Sequence, residues 1–483
     1  MSRNPDSGPG RIEFRADDPS LTPYAGLALS GELCRGLRLV ELTDAELSAV
    51  DRVAPVKQRR RGLSAGGVTV AISEAQLVGA ECFDDLQDVR ADKAGASLRV
   101  VAKPPSASTA RQLAYRFKPS HIRAIERAAA RCGNELDRRL GRDPGEDVSF
   151  DLDATETVVY GRRKQGTGRS RNGHLAYNSY VVTWAQRGRP LTSELKGGNQ
   201  ARIKASESLT LIARAERLLP AGHGEVTVRG DSGFYAVELM IGCRKRKIRF
   251  TLSATRTSLM WSKLAQIAED AWEDAIAMRG AQVAELPFTP EGWKHEPLRL
   301  IVRRVPVTAA ELQATSPKAR RRTTIPPEQL QMVLDGQLDS TFAYSFIVTD
   351  IPVQQKSTAE VEHFHRHRAQ IEERFKDVKL GQALRHLPSG NLNANRLWLA
   401  CSLLALNITA WVCDTSPAAS ASGDAPDHTP LRRHAKTLRR LLFCVPGRIV
   451  RTARRIIVRL PDGFPHFEIF DATYRAALAL RGP

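Results

Sequence analysis

Three acidic positions in this chain stand out as candidates for chemistry. Asp153 ends a predicted strand in Asp151-Leu152-Asp153-Ala154-Thr155, and Asp231 ends another in Val228-Arg229-Gly230-Asp231-Ser232-Gly233-Phe234. A carboxylate just past a strand end sits at the rim of a sheet, where α/β ligand sites form. Taken alone, either aspartate reads as a helix cap or an Asx turn. Glu372 lies on a helix predicted from about Thr358 to Leu380. His365, Arg368, Glu372 and Lys379 follow one another at steps of three, four and seven residues. A period of about 3.6 residues gathers them into one stripe. Taken alone, that stripe reads as a solvated face with an i,i+4 ion pair between Arg368 and Glu372. Asp151 competes with Asp153, because residues two apart on a strand face the same side. If three carboxylates converge in a low-dielectric site, they cannot all ionise without cations.

The elements that must position these residues follow from hydrophobic periodicity. Alternation predicts strands at Val148 to Asp153, Tyr180 to Trp184, Pro190 to Leu195, Glu225 to Asp231 and Lys247 to Leu252. Helical patterns at Ser206 to Leu219 and Tyr235 to Cys243 lie between them. Strands alternating with helices in a mixed order indicate an α/β domain. Ahead of it, Ile72, Ala75, Leu77, Val78 and Cys82 form one apolar helical face, and Ile122, Ile125, Ala128 and Ala129 another. Behind it, candidate strands at Gln282 to Phe288, Leu298 to Val307 and Phe342 to Val348 are separated by Pro- and Arg-rich linkers. An apolar helix is predicted from Asn393 to Val412, then a Ser/Ala/Pro/Asp-rich linker from Asp414 to Pro430.

Composition narrows the partners. Of 483 residues, 72 are Lys or Arg and 53 are Asp or Glu, a formal charge of +19. That excess calls for a polyanionic partner. With 42% hydrophobic and 26% charged residues the chain is globular in composition. It opens without an apolar run, which argues against a secretory signal. The run Leu397 to Val412 is shorter than the roughly 20 residues of a membrane span and reads as a core helix. Seven widely spaced cysteines without a CxxC pair indicate isolated thiols in a reducing cytoplasm. His363, His365 and His367 alternate, so a helix points neighbours in the run apart and offers no joint zinc site.

Taken together, Asp-Ala-Thr after one strand, Asp-Ser-Gly-Phe after another and R-x3-E-x6-K on a late helix resemble the DDE transposases of bacterial insertion sequences. The resemblance is to the subgroup with the Y-R-E-K signature, with His365 standing at the tyrosine position. It extends to Tyr160-Gly161-Arg162-Arg163-Lys164-Gln165-Gly166, to Asn395 through Asn407, and to the basic, apolar segment from Arg448 to Pro461. It implies an α/β fold: a ribonuclease H-like mixed sheet with flanking helices, interrupted by a β-rich insertion. It also implies the catalytic residues Asp153, Asp231 and Glu372, which would hold the metal, with Arg368 and Lys379 on phosphates. Mg²⁺, as two ions with Mn²⁺ as a substitute, is the implied cofactor.

On this reading the chain divides into a flexible arm (1–25), a helical N-terminal DNA-binding region (26–145) and the first part of the catalytic core (146–253). A β-rich insertion (254–354), the second part of the core (355–412), a disordered linker (413–430) and a basic C-terminal region (431–483) follow. The expected partner is double-stranded DNA, as element terminal inverted repeats and target, bound by a homodimer in a bacterial cytoplasm with no membrane involved. Lys57 to Arg61 and Arg432 to Arg459 are the expected DNA-holding segments. His365 is expected to face the same phosphates and to become cationic there, so that metal-free affinity rises as pH falls from about 8 to 6. Trp261, Trp272 and Trp293 are expected to pack in the core. A metal-dependent nuclease on the same fold, or a non-catalytic DNA-binding protein, are the alternatives. The second gains nothing from carboxylates facing DNA.

Overall fold

The apolar helical faces of the N-terminal third bury against one another. The computed structural model describes residues 14–51, 55–57, 61–170, 172–200, 203–313, 322–368, 384, 386–416 and 435–481. After a two-residue strand β1 (Leu21–Thr22) come helices α1 (Leu27–Gly36), α2 (Leu39–Asp51), α3 (Ala65–Leu77) and α4 (Pro119–Arg139). Every residue of α3 is buried. Its hydroxyls stay satisfied inside the core because Thr69 donates to the Ala65 carbonyl at 2.9 Å and Ser73 to that of Thr69 at 3.1 Å.

The central sheet begins with the long strand β2 (Val148–Val158), followed by β3 (Gly168–Arg169), β4 (Leu175–Trp184) and β5 (Arg189–Gly197). Helix α5 (Ala205–Glu216), strand β6 (Val226–Gly230), helix α6 (Val237–Lys245) and strand β7 (Arg249–Ser253) complete this unit. Strand order is β5-β4-β2-β6-β7, with β2, β4 and β5 antiparallel and β2, β6 and β7 parallel. That order and polarity are those of a ribonuclease H-like sheet. Alternation divides β4 between two cores. Tyr177 and Val181 face the N-terminal helices, while Tyr180 and Val182 face the side where α5 and α6 pack.

The β-rich insertion continues the same sheet. Strands β8 (Glu273–Asp274), β9 (Gln282–Phe288), β10 (Leu298–Thr308) and β11 (Ser340–Thr349) form an antiparallel set. Strand β11 pairs with β7, Ile347 opposite Ser253 and Thr349 opposite Thr251, giving ten strands in one mixed sheet. The tryptophans are packed as expected. Trp293 is 5% exposed, Trp261 lies edge-on to Phe346 at 5.4 Å, and Trp272 lies under the Arg304 guanidinium at 4.3 Å.

Helix α7 (Thr358–Arg366) crosses one face of the sheet, started by a capping box between Ser357 and Glu360. Helix α8 (Leu392–Thr415) is 24 residues long, with Asn391 as its N-cap. Its length and hydropathy would suit a membrane span, yet 78% of its apolar window is buried. It packs on α3, α4 and β5, so the expected core helix is present and longer than its apolar run. Strands β12 (Gly447–Arg451) and β13 (Ile456–Arg459) and helix α9 (Phe467–Ala479) close the chain.

The two ends of the chain are joined. Leu21 pairs with Arg448 and Thr22 with Gly447, so the expected flexible arm contributes a strand, and its residues 1–13 lie outside the described part. Leu442 and Phe443 belong to the same core as α1, α3 and α8. The linker from Asp414 holds its place through Thr415 and Ser416, and 417–434 lie outside the described residues. Deleting residues 435–481 is therefore expected to unfold the N-terminal helices, because each large buried side chain removed costs about 2–5 kcal/mol. Limited proteolysis and circular dichroism check this. A truncated chain with wild-type helicity and melting temperature would show the C-terminal region to be a separable appendage.

Candidate functional site

Asp153 and Asp231 are brought together by strand register. In the parallel pair β2–β6, Leu152 lies opposite Gly230, and each aspartate is the next residue. Strand β6 ends at Gly230, whereas β2 continues to Val158, still paired with β4. Asp153 is therefore mid-strand rather than at a strand end, but it sits where its β6 neighbour stops. Asp153 is 8% exposed and Asp231 is half-buried. Asp153 Oδ1 accepts the Ala154 N–H at 2.9 Å, and Asp231 Oδ1 accepts the Gly233 N–H at 2.8 Å. Each carboxylate is thus oriented by a backbone donor.

The turn after Asp231 is fixed by its flanks. A Cβ on Gly230 would lie 2.9 Å from Leu252 Cδ2 and 3.2 Å from Phe234 Cβ. Only glycine lets the strand end approach so closely. Phe234 is buried and stacks edge-on against Tyr180 of β4 at 6.2 Å.

Asp151 has a different place from Asp153. Its two oxygens accept Nε and Nη2 of Arg229 at 2.6 and 2.7 Å, a bidentate pair with Asp151 fully buried. The same guanidinium donates from Nη1 to the Phe364 carbonyl of α7 at 2.7 Å. Sequence reading missed Arg229. The available signal was a charged residue between Val228 and Gly230 on a strand otherwise buried, which requires a buried counter-charge.

His365, expected to face phosphates, is instead buried against β7. It is 7% exposed, with Thr251 Oγ1 at 2.8 Å from Nδ1 and Ser253 Oγ at 2.9 Å from Nε2, both on β7. Burial, then the charges of Arg368, Arg229 and Arg303, push its pKa down to about 3. The expectation of a cationic His365 is corrected accordingly: the ring is neutral, one nitrogen donating and the other accepting. His363 and His367 stack together at 4.2 Å on another side of the helix, so the three histidines do not converge. Arg368 is buried as well. Glu372 and Lys379 lie outside the described residues. In the loop after β2, Lys164 donates to the Leu387 and Ser389 carbonyls, Tyr160 is 91% exposed, and Arg162 and Arg163 are exposed too.

The depressed pKa fixes the sign of one pH effect. The unfolded chain takes up this proton near pH 6.5, the folded chain only near 3, so stability from His365 is complete above 6.5 and falls as pH drops toward 3. The His365 imidazole is expected not to titrate between pH 8 and 5 when followed by NMR. A midpoint between 6 and 7 would contradict the buried, neutral ring.

The profile of the family described as transposase DDE domain group 1 matches residues 9–481. The chain belongs to this family of DDE transposases. No curated protein matches the transposase chain. Among solved structures it is similar to a piggyBac transposase in a cryo-EM synaptic complex with hairpin DNA. That similarity has a TM-score of 0.39 and 10% identity, over 86% of this chain and 79% of that one. DDE transposases use divalent metal ions, and the transposase carries residues that fit them: two hard carboxylates, each directly after one of a pair of register partners on adjacent strands, the donors Mg²⁺ and Mn²⁺ favour. Among the described residues, no group of three or more His, Cys, Asp or Glu could hold a metal.

Proposed function

We propose that this protein is an insertion-sequence transposase of the Y-R-E-K subgroup that cuts the ends of its element and joins them to target DNA. One observation carries the reading. Asp153 and Asp231 directly follow residues paired across two parallel strands, a register that supports two carboxylates acting at one centre beside the end of β6. Divalent ions there, when bound, activate an attacking oxygen and stabilise a leaving one.

Asp153, Asp231 and Glu372 would hold those ions, while Arg368 and Lys379 would engage the phosphates. Water attacks the phosphodiester at the element's end, the bond to the flanking strand breaks, and the element keeps a 3′-OH. That hydroxyl then attacks a target phosphodiester in line and displaces the target's own 3′ oxygen. Bond number is conserved in the second step, and the sequence has no GxxxxGK[ST] nucleotide loop. Joining is tested with a donor plasmid carrying the gene's flanking DNA and a separate target plasmid. Joined products bordered by short target duplications are expected. Cut ends with no joining would assign a nuclease instead.

The β12–β13 ribbon is the DNA surface this reading favours. Arg448 lies directly opposite Arg459, and like charges so placed are destabilising in a sheet. Arg451, Arg454 and Arg455 are exposed nearby, and Ile449 on the other face is buried on the protein body. Arg448 meets Asp18 at 3.1 Å; among the described residues no carboxylate pairs with Arg454, Arg455 or Arg459. A two-stranded ribbon fits a DNA major groove. By contrast, the Lys57 ammonium donates to the Gly62 and Leu63 carbonyls, at 3.2 and 2.6 Å. Because the C-terminal region is part of the core, substitution is the cleaner probe. Changing Arg454, Arg455 and Arg459 to Ala should flatten the log–log salt dependence of DNA affinity by about 0.9 for each phosphate no longer neutralised. An unchanged slope in the folded variant would assign the ribbon to packing.

A further inference from the structure

We infer that Arg229 is a positioning residue that pins the exit of α7 to the two strands bearing Asp153 and Asp231. The inference rests on the metal-dependent reading of that site. Asp151 and Arg229 are register partners on β2 and β6, and each lies two residues before one of the proposed ligands. A single guanidinium, with its side chain 6% exposed, therefore bonds β2 through Asp151, belongs to β6, and reaches α7 through the Phe364 carbonyl. Its plane also lies over the Phe364 ring, 4.8 Å from the centroid. These are the three segments that must converge if Asp153, Asp231 and Glu372 are to act together.

The bond to Phe364 falls where it has most leverage. Phe364 lies in the last turn of α7, where the regular i+4 backbone donors run out and the helix dipole has its negative end. At this point the hydrogen-bond pattern tightens. His367 N–H donates to the His363 carbonyl at 3.1 Å, four residues back, but Arg368 N–H donates to His365 at 3.0 Å, only three back. The Phe364 carbonyl is taken by Arg229 instead. Glu372 follows Arg368 by four residues in the sequence. Asp151 neutralises the guanidinium, so the clamp lies two residues before each proposed ligand without adding net positive charge. Three donors in a fixed plane are needed, which lysine cannot supply.

Stability alone would also explain a buried ion pair, so the test separates the two roles. Changing Asp151→Leu together with Arg229→Met removes both charges and leaves no orphan in the core, a replacement that is often neutral for stability. This double variant is expected to melt close to wild type and to bind duplex DNA equally well. Amide hydrogen exchange in α7 should be about tenfold faster, and strand cleavage about 10²-fold slower, as expected for misplaced reacting groups. Arg229→Lys, which keeps the charge beside Asp151, should share both losses. Wild-type α7 exchange in either folded variant would overturn the clamp. If the wild-type protein cuts no DNA, the transposase reading fails, while α7 exchange still decides the clamp.

Discussion

Asp153→Ala and Asp231→Ala are each expected to lower strand cleavage by about 10³-fold or more, with DNA affinity within about twofold of wild type. Removing one group that stabilises transition-state charge already costs about 10²–10³, and loss of a metal ligand removes the ion's contribution as well. Affinity is spared because it comes from cations that release counterions from phosphates. The fold should survive at Asp231, where the carboxylate is half-buried and orients the Gly233 N–H across a turn. One such bond is worth about 1 kcal/mol. Glu372→Ala should match both, and EDTA should mimic all three. Metal-dependent cleavage retained by any folded variant would remove that residue from the ligand set.

Asp151→Ala should do the reverse and cost about 3–5 kcal/mol of folding stability. The substitution leaves Arg229 buried without its counter-charge, and breaking one half of a buried pair is far more costly than removing both halves. Asp151 is fully buried and both its oxygens are bonded to Arg229 at 2.6 and 2.7 Å. Urea denaturation should show the loss as a lower midpoint. Wild-type stability together with lost cleavage would make Asp151 the ligand in place of Asp153.

These two aspartates also show what one sequence can and cannot convey. Both face one side of β2, as alternation requires, and periodicity does not distinguish them; only the Ala154-Thr155 that follows Asp153 does, through the family resemblance. The difference lies in register. Arg229 is opposite Asp151, while β6 has ended beside Asp153. Register between distant strands is a tertiary property that periodicity does not encode. The strands themselves were legible: Gln282 to Phe288 matches β9 end to end, and β2, β4, β5, β6 and β7 all fall on predicted runs. Joining the insertion to the core through β7 and β11 was not legible, because any two strands with apolar faces can pair.

His365 marks a second limit. The helical period correctly puts it one turn from Arg368, but which side of that stripe meets protein depends on β7. Thr251 and Ser253 present hydroxyls at the spacing of the two ring nitrogens, and that makes the position a buried latch. Glu372 and Lys379 rest on the family resemblance of the R-x3-E-x6-K motif and lie outside the described residues.

Whether Asp153 and Asp231 form a metal-dependent centre for cutting DNA is decided by strand cleavage on a labelled duplex. The duplex spans the inverted repeat and its flank, and the reaction contains Mg²⁺ or Mn²⁺. Wild type is expected to leave a 3′-OH at the element's boundary. No product is expected with EDTA or with Asp231→Asn, which preserves shape and removes the charge. Cleavage that persists in folded Asp231→Asn, or that proceeds without divalent metal, would contradict a metal-dependent centre at these two residues.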